Sequence, residues 1–143
     1  MPIPTTQQTQ MDSFLGHMPA VDSTRILDDM AFKVNVVAKT ADYQVLASES
    51  GTYFTDYGCS GTIDFTLPTV ADGLFFVFYS VAAGALKVIG DTNLVVADND
   101  TTATSVSLET GGAIIGAGFK CFSNGTKWFV LPFGTEGAVV TIV

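Results

Sequence analysis

The chain has 143 residues, of which 48% are hydrophobic, and its 14 acidic and 6 basic residues give a net charge of −8 at pH 7. A chain of this length fits one domain that can bury an ordinary core without disulfides or a metal ion. Because phosphate groups are bound by clustered Lys and Arg, this composition argues against a nucleic-acid partner and against an anionic membrane surface.

The first ten residues, MPIPTTQQTQ, have neither the basic nor the apolar region of a signal peptide. No apolar run approaches the ~20 residues needed to cross a bilayer. We therefore expect a protein that is synthesised in a cytoplasm and does not enter a membrane.

Residues 1–32 differ in composition from the rest and are predicted to form an N-terminal arm. Pro2 and Pro4 favour an extended start. A short helix is predicted from Ser23 to Ala31, with Asp22 or Ser23 as its cap. The arm either packs on its own domain or reaches onto a neighbouring chain, and the sequence leaves both open.

Residues 33–143 are predicted to form an all-β domain, an antiparallel β-sandwich or jelly-roll-like fold. Short segments rich in strand-forming residues recur about every ten residues, separated by Gly, Asn and Asp turns. Asn124-Gly125 predicts a tight hairpin with two consecutive positive φ angles. The predicted strands are Lys33–Ala38, Tyr43–Ala47, Tyr53–Thr55, Thr62–Leu67, Leu74–Val81, Leu86–Ile89, Leu94–Ala97, Thr104–Leu108, Phe119–Ser123 and Lys127–Leu131.

A search for catalytic or metal-binding patterns finds none that predicts a site, and we expect no cofactor. His17 is the only histidine, and it lies in the arm without a nucleophile pattern near it. No His and Cys set has zinc spacing. Asp91, Asp98 and Asp100 bring carboxylates close together, which fits either a solvated loop or a weak calcium site without the EF-hand pattern.

The two cysteines, Cys59 and Cys121, each lie in a stretch rich in apolar or strand-forming residues. Free cysteines are commonly buried, so two reduced thiols are expected. A disulfide stays open as an alternative, because sequence does not give the distance between their Cα atoms.

Five short pieces in a fixed order resemble a module of tailed-bacteriophage virion proteins, namely head decoration (cement) proteins and head or tail fibre domains. The resemblance covers residues 39 to about 131. It implies a non-enzymatic β-domain, commonly a homotrimer, which binds the major capsid protein on the capsid exterior. The pieces are KTADY at 39–43, SGTYF at 50–54, GTIDFTLP at 61–68, DGL at 72–74 with the aromatic strand after it, and NGTKW at 124–128.

The predicted strands Leu74–Val81 and Lys127–Leu131 are apolar on both faces. In an antiparallel sheet with one solvated face, only the buried face is expected to be apolar. Phe75, Val77 and Tyr79 alternate with Phe76 and Phe78, and one set is expected to lie in the core while another subunit covers the other. A loop or the arm covering the second face is the alternative. The residues chosen as candidate subunit interface are Phe76, Phe78, Trp128 and Val130.

The resemblance does not cover the arm, so its role is inferred from its apolar residues. Ile3, Phe14, Leu15 and Met18 are the candidate capsid contacts. The alternative function is a fibre or receptor-binding module in which Trp128, Tyr53 or Tyr57 stacks on a sugar. A small hydrolase and a tail-tube or baseplate subunit are further alternatives.

Overall fold

The computed structural model describes residues 33–110 and 113–143, and within these ranges it is all-β, as predicted. One 3-10 turn, Ala47–Glu49, interrupts the strands. The strands of the described residues are β1 Asn35–Ala38, β2 Tyr43–Gln44, β3 Thr52–Thr55, β4 Ile63–Thr66, β5 Asp72–Tyr79, β6 Leu86–Ile89, β7 Val95–Ala97, β8 Asp100–Ala103, β9 Ser105–Leu108, β10 Gly118–Asn124, β11 Trp128–Phe133 and β12 Val140–Ile142.

The strands form two sheets that pack face to face in a β-sandwich. The larger sheet has the order β1-β3-β5-β10-β11-β7-β8, and the smaller has the order β12-β9-β6-β4-β2. Strands β8 and β12 were not predicted. The polar sequence DTTA of β8 reads as the continuation of a turn, and it becomes a strand because β7 offers it a partner.

The first six strands alternate between the two sheets, so that strands consecutive within a sheet are two apart in the chain. As a result β1, β3 and β5 pair in parallel in the larger sheet. In the smaller sheet β2, β4 and β6 do the same. The prediction of an antiparallel sandwich, as in a jelly roll, is therefore wrong: both sheets are mixed. Antiparallel pairs follow only where the later strands join, as in β10 with β5 and β11.

Aromatic rings from both sheets fill the space between them. Phe54 and Phe78 of the larger sheet stack with centroids 5.6 Å apart. Phe65 of the smaller sheet lies 4.9 Å from Phe78 and 5.7 Å from Phe54. All three side chains are fully buried. At ~25 cal/mol per Å² of apolar area removed from water, this cluster contributes strongly to stability and fixes which face of each strand points inward.

Two hairpins differ from the expected turn chemistry. Asn124 does not have the predicted positive φ; only Gly125 does, at 85°. Instead, the Asn124 side-chain carbonyl accepts the N–H groups of Thr126 and Lys127 at 3.0 and 2.9 Å, which closes a longer loop. Two consecutive positive φ angles occur in the β7–β8 turn, at Asp98 and Asn99 (36° and 70°).

In the described part of the chain there is no helix with the length and apolar character of a membrane span.

Candidate functional site: the outer face of the larger sheet

The faces of β5, β10 and β11 follow from their register. Phe78 pairs with Phe119, and Phe76 with Cys121, on the side that faces the smaller sheet. Their neighbours in sequence, Phe75 and Val77, therefore point away from it. The predicted alternation of β5 is confirmed, with one apolar set on each face of the sheet.

The four residues chosen as subunit interface lie on the inner side. Phe76, Phe78 and Trp128 have no exposed surface, and Val130 is 5% exposed. They pack in the hydrophobic core formed by the described residues, and the ring centroids of Phe76 and Trp128 lie 6.0 Å apart. This choice was wrong, because the smaller sheet already covers that face. The residues that alternate with them along β5 and β11, such as Phe75 and Phe129, lie on the outside of the sheet.

The outer face of the larger sheet is a continuous apolar surface made of three rows of residues across the strands. The first row is Val36, Tyr53, Val77, Lys120 and Leu131. The second is Phe75, Phe122, Phe129 and Val96. The third is Ala38, Thr55, Tyr79, Gly118 and Phe133. We call these residues the outer face.

Several side chains of the outer face are strongly exposed for apolar groups. Val36 is 60% exposed, Leu131 56%, Phe122 46% and Tyr79 41%. Between the rows lies an open groove of about 540 Å³, lined by Val36, Tyr53, Thr55, Val77, Tyr79, Lys120 and Phe133. Scattered exposed hydrophobic residues are ordinary, but a contiguous patch of this kind marks a surface that binds something.

Pairs of rings stiffen the outer face. Phe122 stacks on Phe129 with centroids 5.3 Å apart and planes inclined by 25°. Tyr79 and Phe133 stack in the same way at 6.2 Å. Stacked rings on paired strands lose little conformational freedom when a partner covers them, which favours binding.

Lys120 is the one charged residue of the described outer face. Its ammonium group lies 5.8 Å from the Phe133 ring centroid, so the cation rests beside an aromatic surface. The face therefore carries a positive charge, although the whole chain has a net charge of −8.

The outer face of the smaller sheet is polar by comparison. Its strands place Asp64, Lys87, Ser107 and Thr141 in one row across the sheet. This is the pattern of a sheet with one solvated face. The two sides of the sandwich thus differ: the outer face of the smaller sheet is polar, and that of the larger sheet is apolar.

The candidate arm contacts Ile3, Phe14, Leu15 and Met18 lie outside the described residues, as do His17 and the predicted helix. Their assignment stays a prediction.

Two carboxylates of the Asp91 to Asp100 segment accept hydrogen bonds. Asp91 accepts the N–H of Val70 at 3.0 Å, and Asp100 accepts the N–H and hydroxyl of Thr102. Within residues 33–110 and 113–143, no three His, Cys, Asp or Glu side chains are grouped so that they could hold a metal ion.

Both cysteines are free thiols. Cys121 is fully buried, and this burial raises the pKa of its thiol far above the ordinary value. Cys59 is half-buried, and its sulfur lies 3.3 Å from the carbonyl oxygen of Gly61.

Of the three aromatic residues considered for sugar stacking, Trp128 is fully buried, and its indole N–H has no hydrogen-bond partner among the described residues. It cannot present its ring to a ligand. Tyr57 is 69% exposed in the turn after β3, while Tyr53 is part of the outer face.

No protein-family model matches the chain, and no curated protein matches it.

The sequence pattern predicts strands with two apolar faces, but the residues predicted to form the subunit interface lie on the inner face. A usable signal was present in FKCFS and KWFVLPF, since Lys120 shares its side with Phe122, and Lys127 with Phe129 and Leu131. A lysine is rarely buried without a partner. The position of the lysines therefore indicates which set of residues faces outward.

Proposed function

We propose that this chain is a non-enzymatic structural protein of a bacteriophage virion, a decoration (cement) protein that binds the outside of the capsid as an oligomer and stabilises the head. The observation that carries this proposal is the difference between the two sides of the sandwich, one apolar and one polar. The order of sequence pieces at residues 39 to about 131 resembles head decoration proteins, and this resemblance is the reason for proposing a phage capsid as the assembly.

An exposed apolar surface such as the outer face favours association with another protein. Removing apolar area from water contributes ~25 cal/mol per Å², so a few hundred Å² favour association by several kcal/mol before the costs of ordering. Aromatic residues are enriched, and Asp and Glu depleted, in the centres of protein interfaces. The described outer face has several aromatic residues and no acidic one.

The proposed partners are the major capsid protein and further copies of this chain, as in a homotrimer. An oligomer presents several arms at once, so that weak contacts of single arms act together at high effective concentration. Ile3, Phe14, Leu15 and Met18 are the proposed capsid contacts. The protein would be made in the host cytoplasm and end on the capsid exterior.

A fibre or receptor-binding module is the second candidate, and one observation favours it: the rings of Tyr79 and Phe133 lie on the protein surface, where they could stack on a sugar. Sugar sites also need polar groups that bind the hydroxyls. The first row of the described outer face offers Lys120 and the Tyr53 hydroxyl between apolar groups. This composition suits a protein partner better.

The test is to mix the purified protein with capsids that lack it and to measure stoichiometric binding and resistance to heat. Saturable binding with a higher temperature of capsid disruption supports decoration. Binding to host-cell polysaccharide without binding to capsids supports the fibre module and overturns decoration. A variant without residues 1–20 is expected to lose capsid binding, and its full binding would contradict the role of the arm.

A further inference from the structure

We infer that the outer face of the larger sheet is the surface by which this chain binds a second copy of itself, rather than the surface that meets the capsid. The inference deepens the proposed function and rests on its premise that the protein acts as an oligomer. The residues of the outer face are assigned to self-association, and this assignment can be wrong even if the protein binds capsids.

The outer face offers about half the area of a standard protein interface. A fully exposed aromatic side chain offers about 200 Å², so the exposed fractions of Val36, Leu131, Phe122 and Tyr79 amount to roughly 400 Å² of mainly apolar surface. A standard protein interface takes about 800 Å² from each partner. The outer face can therefore form the apolar centre of such an interface, with the surrounding surface as its rim.

The charge distribution favours a second copy at this face. Two chains with a net charge of −8 each repel one another wherever their acidic surfaces meet. The described outer face has no acidic side chain, and its charged residue is Lys120. Contact through this face places no acidic side chain of one outer face against the other.

The outer face also reaches an edge of the sheet. Strand β1 pairs with β3 alone among the described strands, and Val36 lies on it. The N–H of Lys39 donates to Thr55 at 2.8 Å, so by the two-residue period the backbone groups of Val36 and Ala38 point away from β3. Such an edge can pair with another chain beside the apolar surface.

The opposite edge of the sheet is closed by its own side chains. The carbonyl of Thr101 on β8 accepts a hydrogen bond from the ammonium group of Lys127, the residue before β11, at 2.9 Å. The carboxylate of Asp100 on β8 accepts the N–H of Thr102 at 2.8 Å. Charged groups that occupy edge positions in this way prevent further strand pairing. Assembly through the larger sheet is therefore directed to the β1 side and the outer face.

The experiment is sedimentation velocity of the full chain over a range from low to high micromolar concentration, without capsids. The wild-type protein is expected to sediment as an oligomer. The double variant Phe122→Ser and Leu131→Ser is expected to sediment as a monomer at the same concentrations. Leu46→Ser is the matched control, since Leu46 is 52% exposed and follows β2 of the smaller sheet, and this variant is expected to remain oligomeric.

Circular dichroism and urea unfolding of the double variant show whether it is folded. Should it fail to fold, Lys120→Glu replaces it: this change keeps the sheet and is expected to weaken the oligomer at least tenfold. A wild-type chain that is monomeric throughout, or outer-face variants that stay oligomeric, overturn the inference.

Capsid binding, measured separately, distinguishes this failure from failure of the proposed function. A monomer that binds capsids through the outer face overturns the inference and leaves decoration standing. An oligomer that depends on the outer face but binds no capsid supports the inference and overturns decoration.

Discussion

Phe122 on β10 and Phe129 on β11 stack 5.3 Å apart on the outside of the larger sheet. Their sequence neighbours Cys121 and Trp128 are fully buried on the inside of the same two strands. One hairpin thus carries apolar side chains in two environments: the inner set holds the fold together, and the outer set is available for a partner. This separation makes the consequences of mutation on the two sides differ.

Replacement of Phe119 by Ala is expected to lower the free energy of unfolding by about 3–5 kcal/mol, because it leaves a cavity in the core. Phe122→Ala is expected to cost well under half as much, since Phe122 is 46% exposed on the same strand. Urea unfolding of the two variants at a concentration where neither associates gives both values. Equal losses would contradict the assignment of inner and outer faces.

Gly84 lies where two backbone segments approach closely. A Cβ on Gly84 would lie well inside contact distance of the Gly61 carbonyl oxygen, whereas a Cβ on Gly61 would meet nothing within 4 Å. Gly84→Ala is therefore expected to destabilise the protein by more than about 2 kcal/mol, because backbone has to move. Gly61→Ala is the control, with an expected change within about 0.5 kcal/mol. Thermal unfolding of both variants checks this, and a well-tolerated Gly84→Ala would count against the described approach of the two segments.

Asp56 ties the end of β5 to the loop after β3 through a buried carboxylate. It accepts the N–H groups of Val81 and Ala82 at 2.5 and 2.9 Å and the hydroxyl of Ser80 at 3.3 Å. Asp56→Ala leaves the N–H groups of Val81 and Ala82 without this acceptor and is expected to cost about 3 kcal/mol. The Ser80 hydroxyl keeps the Ala82 carbonyl as an acceptor at 3.1 Å.

The control for Asp56 is Asp42→Ala, which removes a single exposed hydrogen bond to the N–H of Asp64. Its expected cost is about 1 kcal/mol or less. Chemical unfolding of both variants gives the comparison. If Asp56→Ala were no worse than Asp42→Ala, the buried carboxylate would not have the structural role described.

Cys121 gives the protein a pH dependence on the alkaline side. Burial raises the pKa of its thiol above the ordinary value of 9.0, so the folded state keeps the proton that the unfolded state loses. Stability from this group is complete below pH 9.0 and falls as pH rises above it, by about 1.4 kcal/mol per pH unit. Cys121→Ala is expected to show a shallower loss between neutral and alkaline pH in urea unfolding, and an unchanged slope would refute the effect.

The same burial predicts a difference in reactivity. In the folded protein, Cys59 is expected to react with a thiol reagent while Cys121 reacts only after denaturation, because the thiolate is the reactive form. Two thiols that react at equal rates in the native state would contradict the buried position of Cys121.

How much of this could be read from sequence depends on the pattern of each strand. Ile63 and Phe65 alternate with polar residues, so their burial was predictable, and both are fully buried. In β5 both faces are apolar, and alternation alone does not tell whether Phe76 or Phe75 points inward. That depends on which face the smaller sheet covers, which is set by tertiary packing rather than by local pattern.

The parallel pairing was not predictable in the same way. Alternation between two sheets places β1 beside β3 and β3 beside β5, although each strand by itself reads like one from an antiparallel sandwich. The order depends on long-range packing of the aromatic cluster around Phe54, Phe65 and Phe78. The polar strand β8 was missed because its stability comes from β7 and from the Lys127 hydrogen bonds.

Whether another chain covers the outer face can be measured through the accessibility of position 131. In a Cys59→Ser background, Leu131→Cys places a thiol on the outer face, and Leu46→Cys places one next to β2 of the smaller sheet. The thiol at position 131 is expected to react with a water-soluble maleimide in the dilute monomer and to be protected in the assembled protein, while the thiol at position 46 reacts at the same rate in both. Equal reactivity at position 131 before and after assembly would contradict this expectation.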